Sequence, residues 1–314
     1  MIVRCLLCHA ENVEVSERIS VSELAGLYGK MLSESIREEF EGHKEISFYQ
    51  CGECDLRFFF PTITGSEAFY EQLQRFDWYY LQEKDEYNFA ARFIAEGDSV
   101  LEIGCGRGAF AKKIMAGDYT GIEFSGKARS RAQEEGFHII KETIQDHAKT
   151  NGRKYNVVCS FQVLEHVADV NGFLKDSVEC LKPGGLLIIS VPSADSFVSR
   201  VTNGILNMPP HHVTWWSDRC LGAISEMFGL DMVELDHEIL ADIHKDWYAA
   251  TLTLNALNAA LRRSQRLIDT SLLGRTLGRF ATAVGRYYGL VLSDRNLRPR
   301  GHSVTAVYRK PGGE

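Results

Sequence analysis

From Ser99 onward the chain alternates short apolar runs with more polar stretches of helical character. "SVLEIG", "YTGIEFS", "FHIIK", "NVVCSF" and "GLLIISVP" read as strands, and "GAFAKKIMA", "GKARSRAQEEG" and "DVNGFLKDSVECLK" read as helices. This alternation specifies a mostly parallel sheet with helices on both faces. "SDRCLGAISEMFG" then reads as a helix closed by Gly229, followed by a strand near "LDMVELD". The last strand, "HSVTAVYRK", arrives only after a largely helical insertion, which suits an antiparallel edge. Before Ser99 the pattern differs. "VSELAGLYGKMLSESIREEF" is helix-like, and "DLRFFFP" reads as a strand.

The length of 314 residues accommodates one large α/β domain with a small appendage, and 45% hydrophobic with 25% charged residues is ordinary globular composition. The apolar runs are too short for a membrane span, and "MIVRCLLCHA" lacks the apolar core of a signal peptide, so a cytoplasmic protein is expected. The net charge of −7 is unevenly distributed: residues 1–98 carry 9 Lys+Arg against 19 Asp+Glu, whereas residues 245–314 carry 12 against 4. An acidic front disfavours a nucleic-acid clamp, which needs a basic footprint.

Four of the eight cysteines fall in two identical spacings, "CLLC" (Cys5, Cys8) and "CGEC" (Cys51, Cys54). Each pair can form a tight knuckle that aims two thiolates at one ion, and two knuckles complete a tetrahedral Zn2+ site. With four protein ligands such a site has no open position, so its expected role is folding. Cys105, Cys159, Cys180 and Cys220 lack partners at ligand spacing and read as buried small apolar residues.

The stretch "SVLEIGCGRGAF" carries Gly104, Gly106 and Gly108 after a strand that contains Glu102. Ligands of doubly wound sheets sit at the carboxyl ends of the strands, where the topology switches direction. Glu123, at the end of the second strand, is placed to accept hydrogen bonds from ribose hydroxyls. The spacing G-x-G-x-G departs from the G-x-G-x-x-G dinucleotide fingerprint and favours a nucleoside ligand without a pyrophosphate.

With "VLEIGCGRG", "GIEFS", "FQVLEHVAD" and "LKPGGLLIISVP" in this order, the sequence resembles the class I S-adenosylmethionine-dependent methyltransferases over about residues 86–235. The paired knuckles, "FYEQLQRFDWYY" and "PPHHVTWWS" are similar to those of bacterial methyltransferases with an N-terminal zinc-binding domain, several of which serve surface-polysaccharide or sugar biosynthesis. The resemblance implies a Rossmann-like, doubly wound, mostly parallel seven-stranded α/β sheet, with a zinc-ribbon-like N-terminal module and a helical insertion before the last strand. It divides the chain into a zinc module (1–64), an aromatic linker or lid (65–97), the cofactor-binding core (98–244), a basic helical insertion (245–300) and the final strand with its tail (301–314). It also implies that Gly104, Gly106 and Gly108 let the backbone approach the cofactor, that Glu102 orients that turn or the cofactor's amino group, and that Glu123 and Phe124 meet the cofactor, Glu123 through the ribose. Ile144 and Gln145 are then candidates for the adenine, and Phe161 and Gln162 for the floor near the methyl group.

Methyl transfer to a hydroxyl needs alignment and removal of one proton, for which histidine is the natural base near neutral pH. Three histidines compete: His166 in "LEHV", and His211 and His212 in "PPHH". His166 is also a common family feature, which fits a pocket-lining role. Trp215 and Trp216 would form either an apolar wall for a sugar or core anchors. Phe69, Tyr70, Phe76, Trp78, Tyr79 and Tyr80 form either a lid or a hydrophobic junction, and Glu86 reads as a surface residue. The basic segment 256–292 reads as amphipathic helices packed on the domain or on a second copy of the chain, with peripheral contact to anionic lipid at the inner membrane face as the alternative. The expected activity is methylation of a small-molecule or glycan acceptor, a sugar first. The competing readings are an RNA or quinone methyltransferase, and a non-catalytic zinc-ribbon scaffold with a degenerate methyltransferase fold.

Overall fold

The structure is a computed structural model and describes residues 2–32, 35–76, 79, 83–290, 292 and 294–312. Trp78 and Tyr80 therefore lie outside the described residues. In chain order the elements are β1 (Val13–Ser20), α1 (Val21–Leu32), β2 (Glu45–Cys51), β3 (Arg57–Phe60), α2 (Glu67–Leu73), α3 (Asp85–Ala91), β4 (Ser99–Ile103), β5 (Asp118–Ile122), α4 (Gly126–Glu134), β6 (His138–Ile140) and α5 (Ile144–Asn151). There follow β7 (Tyr155–Phe161), α6 (Val170–Glu179), β8 (Leu181–Pro192), β9 (Thr214–Trp215), α7 (Asp218–Phe228), β10 (Asp231–Ile239), α8 (Lys245–Ala260), α9 (Leu272–Gly289) and β11 (Arg300–Arg309).

The large sheet runs β10-β11-β8-β7-β4-β5-β6. The pairs β4/β5, β5/β6, β4/β7 and β7/β8 are parallel, and β11 is antiparallel to both β8 and β10. This is the doubly wound seven-stranded sheet expected. From β4 the chain winds outward to β5 and β6, then returns to the other side of β4 as β7. The switch point therefore lies at the carboxyl ends of β4 and β7, where ligands of such sheets bind.

Three expectations change. The late strand β11 is antiparallel but is not an edge: residues Ser303–Tyr308 are all buried, so both faces need cover, and the half-exposed β10 takes the edge instead. "GAFAKKIMA" shrinks to a single 3-10 turn at Ala111–Lys113, because the left-handed Gly106 and Gly108 absorb the residues that would open a helix and Ile114 is already extended. "IQDHAKTN", read as no element, forms α5: Thr143 caps it by accepting the Asp146 N–H at 3.0 Å, and Gly152 follows its end.

The N-terminal sheet runs β1-β2-β3-β9, and its fourth strand is lent by the "HHVTWW" segment, with Arg57 opposite Trp215 and Phe58 opposite Thr214. Cys5, Leu7, Cys54, Leu56 and Phe58 share one buried core with Leu101, Val158 and Ile189 of the large sheet. Trp216 is fully buried, and Trp215 packs between Phe48 and Phe59, so both are core anchors and not a sugar platform. Phe69 also belongs to the N-terminal core, with Phe76 and Tyr79 packed against it.

The basic insertion folds as two helices packed on each other. Small residues make the contact: a Cβ on Gly285 would stand 2.6 Å from the Ala250 nitrogen, and one on Gly289 would stand 2.1 Å from Asp246 Oδ1. Leu272, Phe280, Tyr287 and Leu290 are exposed. Among the described residues no helix is long and apolar enough to cross a membrane.

Candidate functional site

At the switch point the chain leaves β4 through Gly104, Gly106 and Gly108, with φ of +72°, +54° and +75°. Only residues without a side chain take these angles freely, and Gly104 is further constrained because a Cβ there would lie 2.4 Å from Val163 Cγ2. Gly104 and Cys105 both donate their N–H to the Ile122 carbonyl, at 2.8 and 3.1 Å, which ties the loop to the end of β5. Glu123 sits directly beyond. Its Oε2 accepts the Gly106 N–H at 2.8 Å, and its Oε1 accepts the Ser125 N–H at 2.7 Å. Burial raises the Glu123 carboxyl above its usual range, while these N–H groups pull it back. The expected pair of glycine loop and acidic residue is thus brought into contact.

Glu102 does not reach the loop backbone. It is 2% exposed inside the sheet and accepts a hydrogen bond from the Tyr119 hydroxyl at 2.5 Å. Burial pushes its carboxyl up to about 8, opposed by Tyr119 and by the Lys84 ammonium. Phe124 is 53% exposed beside Glu123. Ile144 is buried in the core with Ile103 and Ile122, and Gln145 is half-buried at the start of α5.

After β7, Phe161 packs on Phe110 and Tyr87, with ring centroids at 4.7 and 5.0 Å. Gln162 bends the chain with φ +58°, and its amide nitrogen lies 3.3 Å from Glu86 Oε2 and Ser303 Oγ and 3.4 Å from Ser190 Oγ. Glu86, expected on the surface, is 4% exposed and belongs to this floor. The amphipathic α3 turns it inward, next to the buried Tyr87 and Ala90.

All three candidate histidines converge. Their ring centroids lie 4.4 to 4.8 Å apart, with His211 stacked on His212 and His166 edge-on to both. The backbone brings them together: the Val213 N–H bonds to the Glu165 carbonyl at 2.8 Å, and the Phe59 N–H bonds to the Val213 carbonyl at 3.0 Å. The Tyr28 hydroxyl of α1 donates to the carbonyls of Ile205 and Met208 at 2.6 and 3.0 Å, clamping the loop that leads to His211. Tyr70 and Tyr79 border the cluster, with ring centroids 6.1 and 6.2 Å from His211. Burial pushes His166 down to about 4 and holds His211 and His212 well below the usual imidazole range. The rings are therefore neutral at physiological pH.

Sequence reasoning missed Glu165. It is 1% exposed, neither carboxyl oxygen has a hydrogen-bond partner among the described residues, and burial pushes it up to about 8. Its only signal was its place beside His166 in "LEHV". Lys84 Nζ lies 3.4 Å from Glu86 Oε1, and its charge opposes the effect of burial at both Glu102 and Glu165.

The two cysteine knuckles repeat one geometry. His9 and Asp55 follow them with φ of +60° and +67°, and their N–H groups bond to the carbonyls of Cys5 and Cys51, each at 3.1 Å. The Cys5 and Cys51 N–H groups bond to the carbonyls of Ala10 and Leu56, each at 2.9 Å. The sulfurs of Cys5, Cys8, Cys51 and Cys54 all lie within 4.8 Å of one another, with Cys5–Cys54 at 3.5 Å and Cys8–Cys51 at 3.6 Å. A tetrahedron with Zn–S bonds of about 2.3 Å has edges of about 3.8 Å, so the donor set fits zinc. Cys105, Cys159, Cys180 and Cys220 are buried as expected, with Cys220 packed beside Cys54.

The fold and this loop are those of S-adenosylmethionine-dependent methyltransferases. A family model described as "Methyltransferase domain" matches residues 60–235, and the chain belongs to that family. The ubiquinone biosynthesis O-methyltransferase of Serratia proteamaculans is 33% identical over 100 residues, an alignment covering 29% of this chain and 42% of that protein. The protein of the same name from Cereibacter sphaeroides is 27% identical over 187 residues, covering 54% of this chain and 75% of that one. Among solved structures, a SAM-dependent methyltransferase from Archaeoglobus fulgidus superposes with a TM-score of 0.50 at 16% identity, covering 77% of this chain and all of that one.

Proposed function

We propose that the protein is an S-adenosylmethionine-dependent O-methyltransferase acting on an acidic, phenol-like hydroxyl of a small-molecule acceptor. The observation that carries this reading is the convergence of His211 and His212 on His166 and the buried Glu165, which follow Gln162 in the loop that leaves β7. In this reading Gly104, Gly106, Gly108 and Glu123 hold the cofactor, which supplies an electrophilic methyl on a sulfonium. Phe161 and Gln162 form the floor, and the histidine cluster takes the acceptor's proton. The four thiolates hold a structural zinc ion.

Burial of the imidazoles favours an acidic hydroxyl as the acceptor. Imidazoles whose proton affinity is lowered this far are weak bases, and a hydroxyl near pKa 10 gives up its proton to them far more readily than an aliphatic alcohol does. The names of the two relatives above point the same way. A saccharide hydroxyl is the second reading, favoured by the paired cysteine knuckles, and it belongs in the same acceptor panel.

The test is calorimetric titration with S-adenosylmethionine and S-adenosylhomocysteine, followed by methyl transfer to phenols and saccharides. Losing a carboxylate that forms charge-assisted hydrogen bonds should weaken cofactor binding in Glu123→Ala roughly ten- to a hundredfold. An intact protein that binds neither compound would sink the reading, and turnover confined to saccharides would replace the phenol.

A further inference from the structure

We infer that His166, His211 and His212, with the Glu165 carboxyl group beside them, form a binding site for a divalent transition-metal ion of the zinc and cobalt class, separate from the cysteine cluster. One ring nitrogen from each of the three histidines lies within 4.8 Å of the other two. Which nitrogen is free follows from the hydrogen bonds. His166 Nδ1 faces the His211 carbonyl oxygen at 2.6 Å, and His211 Nδ1 faces the Leu206 carbonyl oxygen at 2.8 Å. A carbonyl oxygen can only accept, so each Nδ1 carries the hydrogen and each Nε2 keeps its lone pair. His212 Nδ1 faces the Asn207 side-chain oxygen at 3.1 Å in the same sense. Metal-bound histidines are oriented in this way, by a carbonyl or carboxylate behind the ring.

Glu165 stands beside two of the three rings: its Oε1 lies 3.8 Å from His166 Nε2 and 3.9 Å from His212 Nε2, and its carboxyl group is buried without a hydrogen-bond partner among the described residues. His211 Nε2 is likewise buried and unpartnered. A cation held by the three histidines would also give the neighbouring buried carboxyl group an opposite charge. Bonds of about 2.1 Å give tetrahedral edges of about 3.4 Å, so the three nitrogens, which lie within 4.8 Å of one another, would draw together around an ion and leave its fourth position open. A nitrogen-rich donor set selects zinc, cobalt, nickel or iron over magnesium and calcium, which prefer oxygen. The other mixed cluster, Glu238, His244 and His302, is a poorer candidate, because Glu238 Oε1 already accepts from the His302 N–H and approaches its Nδ1, each at 2.7 Å.

The site also deepens the proposed O-methylation, and in that role it rests on that reading. An ion here would take the acceptor oxygen as its fourth ligand and make its hydroxyl more acidic, with the proton released to water and the histidines serving as ligands instead of as the base. A strong base is then unnecessary.

The whole chain, produced in metal-depleted medium and dialysed against Co2+, provides the test. The expected result is two equivalents of cobalt per chain, one with an intense thiolate-to-cobalt absorption and one with only weak visible bands. Glu165→Gln and His212→Gln should each weaken the second equivalent at least roughly tenfold while leaving the thiolate absorption and the near-ultraviolet circular dichroism intact. Uptake of a single, thiolate-bound equivalent by the wild type overturns the site, as does a second equivalent that both variants retain. Methyl transfer by protein lacking the second equivalent also overturns it and leaves the O-methyltransferase reading standing. A second equivalent lost in both variants, with no turnover on any acceptor, supports the site and counts against that reading alone.

Discussion

The thiolate cluster and the switch-point region are built in opposite ways. In the first, two donors three residues apart are aimed by one left-handed residue and two main-chain hydrogen bonds, and the second knuckle repeats the first. In the second, Gly104 meets Val163, Glu123 meets Gly106, and His166 meets His211, pairs that come together only once the sheet order β5-β4-β7 and the lent strand β9 are in place. The difference separates their failures. Damage to the knuckles is damage to a core, whereas damage at the switch point falls on ligand binding while the core stands.

The sharpest way to break this comparison is the double substitution Cys51→Ser with Cys54→Ser. Zinc binding by structural sites contributes about 10 kcal/mol or more to folding, and these cysteines share a core with Leu56, Phe58 and the large sheet. The expected result is loss of the cooperative thermal transition of the N-terminal sheet, with a strong chelator reproducing it in the wild type. A variant that melts like the wild type would show that the knuckles hold no ion.

How much was legible in the sequence follows the same division. The knuckles were readable because all their information lies within four consecutive residues. The glycine loop with Glu123 was readable because strand order turns two separated motifs into neighbours in a predictable way. Glu165 and Glu86 were not, since burial and partner choice for a single polar residue depend on which loop packs over it. "GAFAKKIMA" misled because its composition suits a helix while the glycines before it fix a left-handed path, a case of local geometry overriding propensity. The tryptophans misled in the opposite sense: an aromatic pair after a proline turn looks like a ligand wall until the residues beside it are seen to complete a sheet.

Glu102 offers a milder perturbation of the switch-point region. Its folded value of about 8 stands above the ordinary 4.5, so the native state holds a proton that the unfolded chain releases between these values. The stability it contributes is complete below about pH 4.5, falls as pH rises, and is gone above about pH 8, a total on the order of a few kcal/mol. Glu102→Gln should flatten this alkaline slope in urea melts between pH 5 and 9, to be compared with Glu134→Gln on the exposed face of α4 as a control. An unchanged slope would mean that Glu102 is ionised and paired in the native protein.

The smallest effect tests the close approach at Gly104. Gly104→Ala must tolerate φ +72° and also displace Val163, whose Cγ2 lies 2.4 Å from the new Cβ, whereas Gly184→Ala faces φ +80° with nothing within 4 Å. Backbone strain costs each variant about 1 kcal/mol. Only the first should also push the loop after β4 away from the loop after β7, weakening cofactor binding by roughly tenfold at a similar melting temperature. Val163→Ala in the Gly104→Ala background should recover most of that loss, because it removes the methyl groups that the added Cβ would strike. If Gly104→Ala and Gly184→Ala bind cofactor equally well, the contact between the two loops does not shape the site, and the contrast with the knuckles reduces to backbone conformation.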